Sequence, residues 1–184
     1  MVEIKGSRIT LRSYKKEDAP RIAEIANNKN ISRNMVGTFP FPYTLEEAEK
    51  WVGIASSDEK NKTNFVIIFE DEIVGGAGFD LKDGIHEGVG SGGYWLGEDY
   101  WGKGIGTETW ELIRDYAFEN FEIRRLEAGI FSWNLASGRI QEKCGFKKEG
   151  CIRNSIERFG ETCDEIRYGL LREEWEELHG KSKI

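Results

Sequence analysis

The sequence is short of histidine and cysteine, and it contains no long apolar run. Only His86 and His179 occur in 184 residues, too few to assemble a Ser-His-Asp hydrolase or a histidine-rich metal centre with ease. Cys144, Cys151 and Cys163 are odd in number and include no C-x-x-C pair. They argue against a disulfide framework and against a zinc site, and no metal is expected. No apolar stretch approaches the length that crosses a bilayer, and Met1-Val2-Glu3-Ile4-Lys5-Gly6 lacks the apolar region of a signal peptide. A cytoplasmic address and no membrane partner are therefore expected. Positive charge is also in deficit: 26 Lys and Arg against 33 Asp and Glu give a net charge of −7, which argues against nucleic acid as the main partner.

What is present is ordinary for a soluble globular protein, with 32% charged and 39% hydrophobic residues. The length suffices for one sizeable core, so a single domain over residues 1–184 is expected. Arg8-Ile9-Thr10-Leu11-Arg12 alternates as a half-buried strand does, and Asp18 is placed to cap a helix with Pro20 in its first turn. Residues 27–34 are rich in asparagine and read as a loop. Phe39-Pro40-Phe41-Pro42-Tyr43 is stiff and aromatic, either a hinge or one wall of a substrate groove. Thr44 with Glu47 forms a capping-box pattern opening a helix from Leu45 to Ala55.

Phe65-Val66-Ile67-Ile68-Phe69 is continuously apolar, as a strand covered on both faces would be, and Ile73 to Leu81 reads as its hairpin partner. Gly75, Gly76 and Gly78 in that partner predict close packing against the strand. A third strand leads to Leu96, a helix follows from Ile105 to Glu119, and Arg125 to Phe131 is another strand. Strand, helix and strand make a β-α-β unit, so the two strands should lie parallel or splayed. Residues 134–144 read as a helix with Gly145 as its left-handed stop, residues 146–153 and 164–171 as the arms of a closing hairpin, and residues 172–177 as a last helical turn.

The stretch Tyr94-Trp95-Leu96-Gly97-Glu98-Asp99-Tyr100-Trp101-Gly102-Lys103-Gly104-Ile105-Gly106-Thr107-Glu108 organises the rest. A strand gives way to glycines and then to a helix, whose first N–H groups lack intrahelical partners and carry the positive end of the dipole. Such a junction cradles an anion, most naturally phosphate. Three patterns compete with a bare helix cap. Gly97 to Lys103 has Walker spacing, but Gly104 stands where the magnesium-binding hydroxyl belongs. Gly88, Gly90 and Gly93 match a dinucleotide fingerprint, but a strand follows them where a helix is required. The third pattern is Gln or Arg, two spacers, Gly, one spacer, then Gly or Ala. Trp101-Gly102-Lys103-Gly104-Ile105-Gly106 resembles it, with Trp101 in the leading position; it is the acyl-CoA pyrophosphate loop of the GNAT family of N-acetyltransferases.

Two further stretches carry the same resemblance. Asn134-Leu135-Ala136-Ser137 with Glu142-Lys143-Cys144-Gly145-Phe146 is similar to the family's N-x-x-S…EK-x-GF signature. Ile166-Arg167-Tyr168-Gly169-Leu170-Leu171-Arg172-Glu173-Glu174-Trp175 resembles the end of the branch that acetylates ribosomal-protein N-termini. The resemblance implies an α/β (α+β) fold: a mixed, mostly antiparallel sheet of six or seven strands with a V-shaped splay between the central strands and helices on both faces. Acetyl-CoA, as co-substrate, would lie in the splay, its pantetheine against Trp95, Leu96 and Gly97 and its pyrophosphate against the N–H groups of Gly102, Lys103, Gly104, Ile105, Gly106 and Thr107.

Asn134 would hold the pantetheine arm and Ser137 would lie near the thioester sulfur; both also suit the start of a helix, and the two roles are compatible. The implied reaction is direct attack of a primary amine, a peptide α-amine or a small amine, on the thioester. Glu98 and Glu157 are the candidate proton acceptors, each equally readable as a solvated charge. Relatives in the ribosomal branch take that glutamate from the closing hairpin, and the count falls on Ile156, one residue before Glu157. Ser137 is the candidate proton donor. A non-catalytic acyl-CoA-binding or sensing domain on the same fold is the alternative. The closing hairpin also offers an edge for a homodimer.

Overall fold

The computed structural model describes residues 1–180. The strands run in the order β1-β2-β3-β4-β5-β6-β8-β7, eight in place of the expected six or seven. The additional strand is β1 (Glu3–Lys5), which pairs antiparallel with β2 (Ile9–Ser13) through its backbone and buries none of its three side chains fully. An apolar pattern therefore could not announce it. The chain divides into two compact units, Met1–Gly78 with Tyr94–Leu112, and Phe79–Gly93 with Ile113 onward.

In the first unit, β2 buries Ile9, Leu11 and Ser13 in alternation and pairs with β3 (Asn64–Phe69), Leu11 opposite Ile67. Phe65, Val66 and Ile67 of β3 are fully buried, as its apolar run requires, whereas Ile68 and Phe69 at its end are half-buried. β3 pairs in turn with β4 (Glu72–Leu81), with a register shift at Ile67/Ile68. Close packing against the β4 glycines is explicit. A Cβ on Gly75 would strike the Trp95 carbonyl, and one on Gly76 would strike the Tyr14 hydroxyl and the Trp95 indole nitrogen. Helices α1 (Ala19–Ala26) and α3 (Leu45–Ala55) close this core with Ile22, Ala26, Ala48, Val52 and Ala55.

Three local expectations need correcting. Asp18 sits at the start of α1 but makes no side-chain cap. Its carboxylate instead takes a two-nitrogen contact from Arg12, at 2.8 and 2.7 Å, and the Lys15 N–H at 2.8 Å. The asparagine-rich loop contains a one-turn helix, α2 (Lys29–Ser32), because Asn28 accepts from Asn30 N–H at 2.8 Å and Ile31 N–H at 3.3 Å. At α3, Thr44 Oγ1 accepts from Glu47 N–H at 3.3 Å, one half of the expected box.

In the second unit, the start of β5 (Val89–Leu96) runs parallel to β6 (Arg125–Phe131), with Val89, Gly90 and Ser91 opposite Arg125, Leu126 and Glu127. The rest of β6 is carried by β8 (Glu161–Leu171), paired antiparallel along its whole length, and β7 (Lys147–Arg158) completes the hairpin. The parallel pairing thus covers only three residues, in a mostly antiparallel sheet. Helix α4 (Ile105–Asn120) bridges the units in sequence, and α5 (Leu135–Lys143) ends at Gly145, φ +89°, as its left-handed stop requires. α6 (Arg172–Leu178) is fastened by Arg172, which donates to the carbonyls of Phe118, Phe121 and Ile123 at 2.8–3.0 Å. Beside it, buried Trp175 stacks on Phe118 with ring centroids 5.3 Å apart.

Candidate active site

In the first unit, the end of β5 runs through buried Trp95, Leu96 and Gly97 into a short 3-10 turn at Glu98–Tyr100. Gly97 N–H donates to the Val74 carbonyl at 2.8 Å, and the Trp101 indole N–H donates to the Leu96 carbonyl at 2.9 Å. Part of the strand edge expected to face pantetheine is thus already engaged by the protein. Trp101, Gly102, Lys103 and Gly104 are exposed, and Ile105 and Gly106 turn inward as α4 begins.

Gly102 and Gly104 have φ of +71° and +80°, a conformation that costs an L side chain about 1–2 kcal/mol and that glycine adopts freely. Alternating left-handed residues turn successive N–H groups toward one side, which is the geometry of an anion nest. Nothing lies within 4 Å of the point where a Gly102 Cβ would stand, so the nest is open there.

The β1–β2 turn braces this loop. Glu108, in the first turn of α4, accepts from the Ser7 hydroxyl at 2.9 Å, the Arg8 N–H at 2.8 Å and Arg8 Nε at 3.1 Å. Arg8 Nη1 donates to the Lys103 carbonyl at 2.9 Å. Burial alone would raise the Glu108 carboxyl, but the hydrogen bonds from Arg8 and Ser7 outweigh it and hold the group below its ordinary value.

The segment 27–43 reaches the same strand end. Asn28 Nδ2 donates to Glu98 at 2.6 Å, and Asn30 Nδ2 donates to its two oxygens at 2.9 and 3.1 Å. Phe39 lies edge-on to Trp95 at 5.6 Å and against Tyr43 at 4.8 Å. Phe39 and Tyr43 are buried, whereas Phe41 is exposed, so the aromatic segment is anchored at both ends with one ring outward. Burial pushes the Tyr43 hydroxyl up to about 12, so it stays protonated across the physiological range.

In the second unit, Asn134 Oδ1 caps α5 by accepting from Ser137 N–H at 3.3 Å. Among the described residues nothing hydrogen-bonds the half-buried Ser137 hydroxyl. Asn134 also borders a cavity of about 360 Å³ with Ile130, Gly138, Glu142 and Tyr168; the Tyr168 hydroxyl donates to Glu142 at 3.4 Å. Glu157 is exposed on β7 opposite Thr162, and Ile156 is opposite Cys163. Among the described residues no cluster of side chains is suited to a metal ion, and no helix is long and apolar enough to cross a membrane.

The first unit thus gathers the strand end, the glycine loop and Glu98, while Asn134, Ser137 and Glu157 belong to the second. Sequence reasoning passed over Arg8, Glu108, Asn28 and Asn30. An acidic residue in the first turn of a helix was the visible signal for Glu108. Its partner Arg8, a hundred positions away, was visible only as the first residue of the Arg-x-x-Leu-Arg strand that resembles the family's opening, with nothing to link it to Glu108.

Residues 8–147 match the family model described as an acetyltransferase (GNAT) domain. The uncharacterized N-acetyltransferase YokL, derived from the SPbeta prophage of Bacillus subtilis (strain 168), is 30% identical over 181 residues, covering 95% of this chain and 96% of its own length. The uncharacterized N-acetyltransferase p20 of Bacillus licheniformis is 27% identical over 173 residues, covering 91% and 95%. Among solved structures, the ribosomal-protein alpha-N-acetyltransferase RimL in complex with coenzyme A superposes with a TM-score of 0.81 at 20% identity, over 92% of this chain and 98% of that one.

Proposed function

This chain belongs to the GNAT family of N-acetyltransferases, and on that premise we propose that it carries acetyl from acetyl-CoA to the α-amine of a protein or peptide, by direct attack in a ternary complex. Transfer of acetyl to an amine is the chemistry of the family; the acceptor class and the residue roles are our reading. The observation that carries it is the glycine loop, open above Gly102, at the mouth of a sixteen-residue helix. That donor set suits a diphosphate: convergent N–H groups, the positive end of the α4 dipole and nearby cationic side chains.

The N–H groups from Gly102 to Thr107 would hold the pyrophosphate. The end of β5, Trp95 to Gly97, would align the pantetheine arm through those backbone groups that Val74 and Trp101 leave unengaged, and Asn134 would add its side-chain amide. Most of the acceleration then comes from holding amine and thioester in line and from a strand N–H stabilising the oxyanion. Ser137 would give a proton to the departing thiolate, whose pKa near 8.5 makes such help useful but not large.

The α-amine is favoured by the small demand it places on a base. With a pKa of about 7.7–8.0, roughly a third of it is neutral at about pH 7.5, whereas a lysine amine near 10.4 is neutral about once in a thousand. Glu98 is already the acceptor of amide hydrogen bonds from Asn28 and Asn30, and Glu157 is a solvated carboxylate on the hairpin. Both carboxylates are exposed to solvent. The likeness to RimL points the same way.

The test is transfer from labelled acetyl-CoA to a panel of short peptides with free or blocked N-termini, beside small amines and lysine-containing peptides. Label on free N-termini alone supports the reading. Transfer only to small amines or lysine side chains replaces the acceptor, and binding without transfer to any of them sinks the catalytic claim.

A further inference from the structure

We infer that Arg8, on the first residues leading into β2, contacts the coenzyme diphosphate and supplies the cation that the loop's own leading position lacks. The inference rests on the coenzyme reading given above and names a ligand residue outside the loop itself.

Two loop residues that might have served are otherwise occupied. Trp101 holds the leading position of the motif, but its only hydrogen-bond donor beyond the backbone is spent on the Leu96 carbonyl at 2.9 Å. Lys103 places its ammonium over the Tyr100 ring, 5.3 Å from the centroid.

Arg8 stands differently. A guanidinium is planar and rigid, so fixing two of its nitrogens fixes the third. Glu108 holds Nε at 3.1 Å and the Lys103 carbonyl holds Nη1 at 2.9 Å. That leaves Nη2 against Gly104, 3.1 Å from where a Cβ would stand on that left-handed residue. Among the described residues nothing hydrogen-bonds Nη2. The side chain remains about half exposed, at 47%, so a ligand can reach it. A charged fork is thus oriented by the protein at the rim of the nest, with one nitrogen's donors unspent. Phosphate oxygens are the acceptors that match it, because charge-assisted hydrogen bonds from arginine to phosphate are among the stronger polar contacts.

The experiment is a calorimetric titration of wild type, R8Q, R8K and E108Q with coenzyme A and with 3′-dephospho-coenzyme A at two salt concentrations. Melting temperatures without ligand establish that each variant is folded. Direct contact with the diphosphate predicts roughly tenfold or greater loss of affinity in R8Q for both ligands. R8K should retain part of the affinity, and the R8Q affinity should depend less on salt than that of the wild type, because one exposed ionic contact has gone. E108Q, which keeps the guanidinium but loosens its brace, should lose less than R8Q.

Wild-type affinity in folded R8Q, or an unchanged salt dependence, overturns the inference and leaves Arg8 as a brace alone. Loss for coenzyme A but not for its dephospho form overturns it too, by moving the contact to the 3′-phosphate. No binding of coenzyme A by the wild type overturns the coenzyme reading itself.

Discussion

The carboxylate of Glu108 accepts from both the backbone N–H and the guanidinium of Arg8, at 2.8 and 3.1 Å, across a hundred residues of chain. One contact therefore ties the β1–β2 turn to the first turn of α4, and the glycine loop lies between its two anchors. Hydrogen bonds from Arg8 and Ser7 hold the Glu108 carboxyl below its ordinary value of 4.5 against the opposing effect of burial. A carboxyl depressed in the folded state contributes stability that is complete above its unfolded pKa and is lost as pH falls through its folded pKa. In E108Q this part of the acid limb should vanish: the difference in melting temperature from wild type should be largest above the ordinary value of 4.5 and should shrink as pH falls below it. A pH-independent difference would contradict the assignment.

Gly102 and Gly104 share a left-handed backbone but not their surroundings. Alanine at either should cost about 1–2 kcal/mol of backbone strain, seen as a lowered melting temperature. Only G104A also sets a methyl group 3.1 Å from Arg8 Nη2, whereas Gly102 faces open space. G102A should weaken coenzyme binding by filling the space above the loop, and G104A by displacing the Arg8 guanidinium, so only in G104A should the salt dependence of binding fall as well. An unchanged salt dependence in G104A would argue that Arg8 is not part of the site.

Glu98 directly follows the end of β5, yet its oxygens are taken by Asn28 and Asn30. E98Q should lower transfer to a peptide α-amine less than tenfold, with the pH–rate profile unchanged in shape, because a general base is commonly worth about 10²–10⁴. A loss within that range, with the acidic limb of the profile gone, would make Glu98 the proton acceptor after all.

Thr109 lies fully buried one turn into α4, and its hydroxyl has no partner among the described residues. A buried, unsatisfied hydroxyl costs about 1–3 kcal/mol, and valine has nearly the same shape without it. T109V should raise the melting temperature and leave coenzyme affinity unchanged. A destabilised T109V would show that the hydroxyl is satisfied in solution.

Much of the fold could be read before any coordinates, wherever a local rule was decisive. Thr44 opens α3 at Leu45, the continuous run from Phe65 to Phe69 is a strand buried as far as Ile67, Arg125–Phe131 is β6 and Gly145 stops α5. What stayed hidden has physical reasons. β1 pairs through its backbone and buries no side chain fully, and α2 owes its one turn to a single asparagine cap. The glycine loop was legible because its requirement is local: left-handed backbone followed by a helix. Its bracing by Arg8 and the clamping of Glu98 by Asn28 and Asn30 were not, because polar contacts between residues far apart in sequence leave no periodicity. Trp101 was visible as a departure from the motif, but the direction of its indole, toward the Leu96 carbonyl, is a tertiary fact.

The most direct measurement is a thermal-shift titration of the wild-type protein with acetyl-CoA, beside CoA, ATP–magnesium and NAD. A ligand at about a hundred times its Kd adds about 2.7 kcal/mol of stability, enough to raise the unfolding midpoint plainly. The account predicts saturable stabilisation by acetyl-CoA and CoA and none by the two nucleotide controls. No shift with either form of the coenzyme, in protein shown to be folded, would contradict it and leave the loop from Gly102 to Gly106 as a helix cap without a ligand.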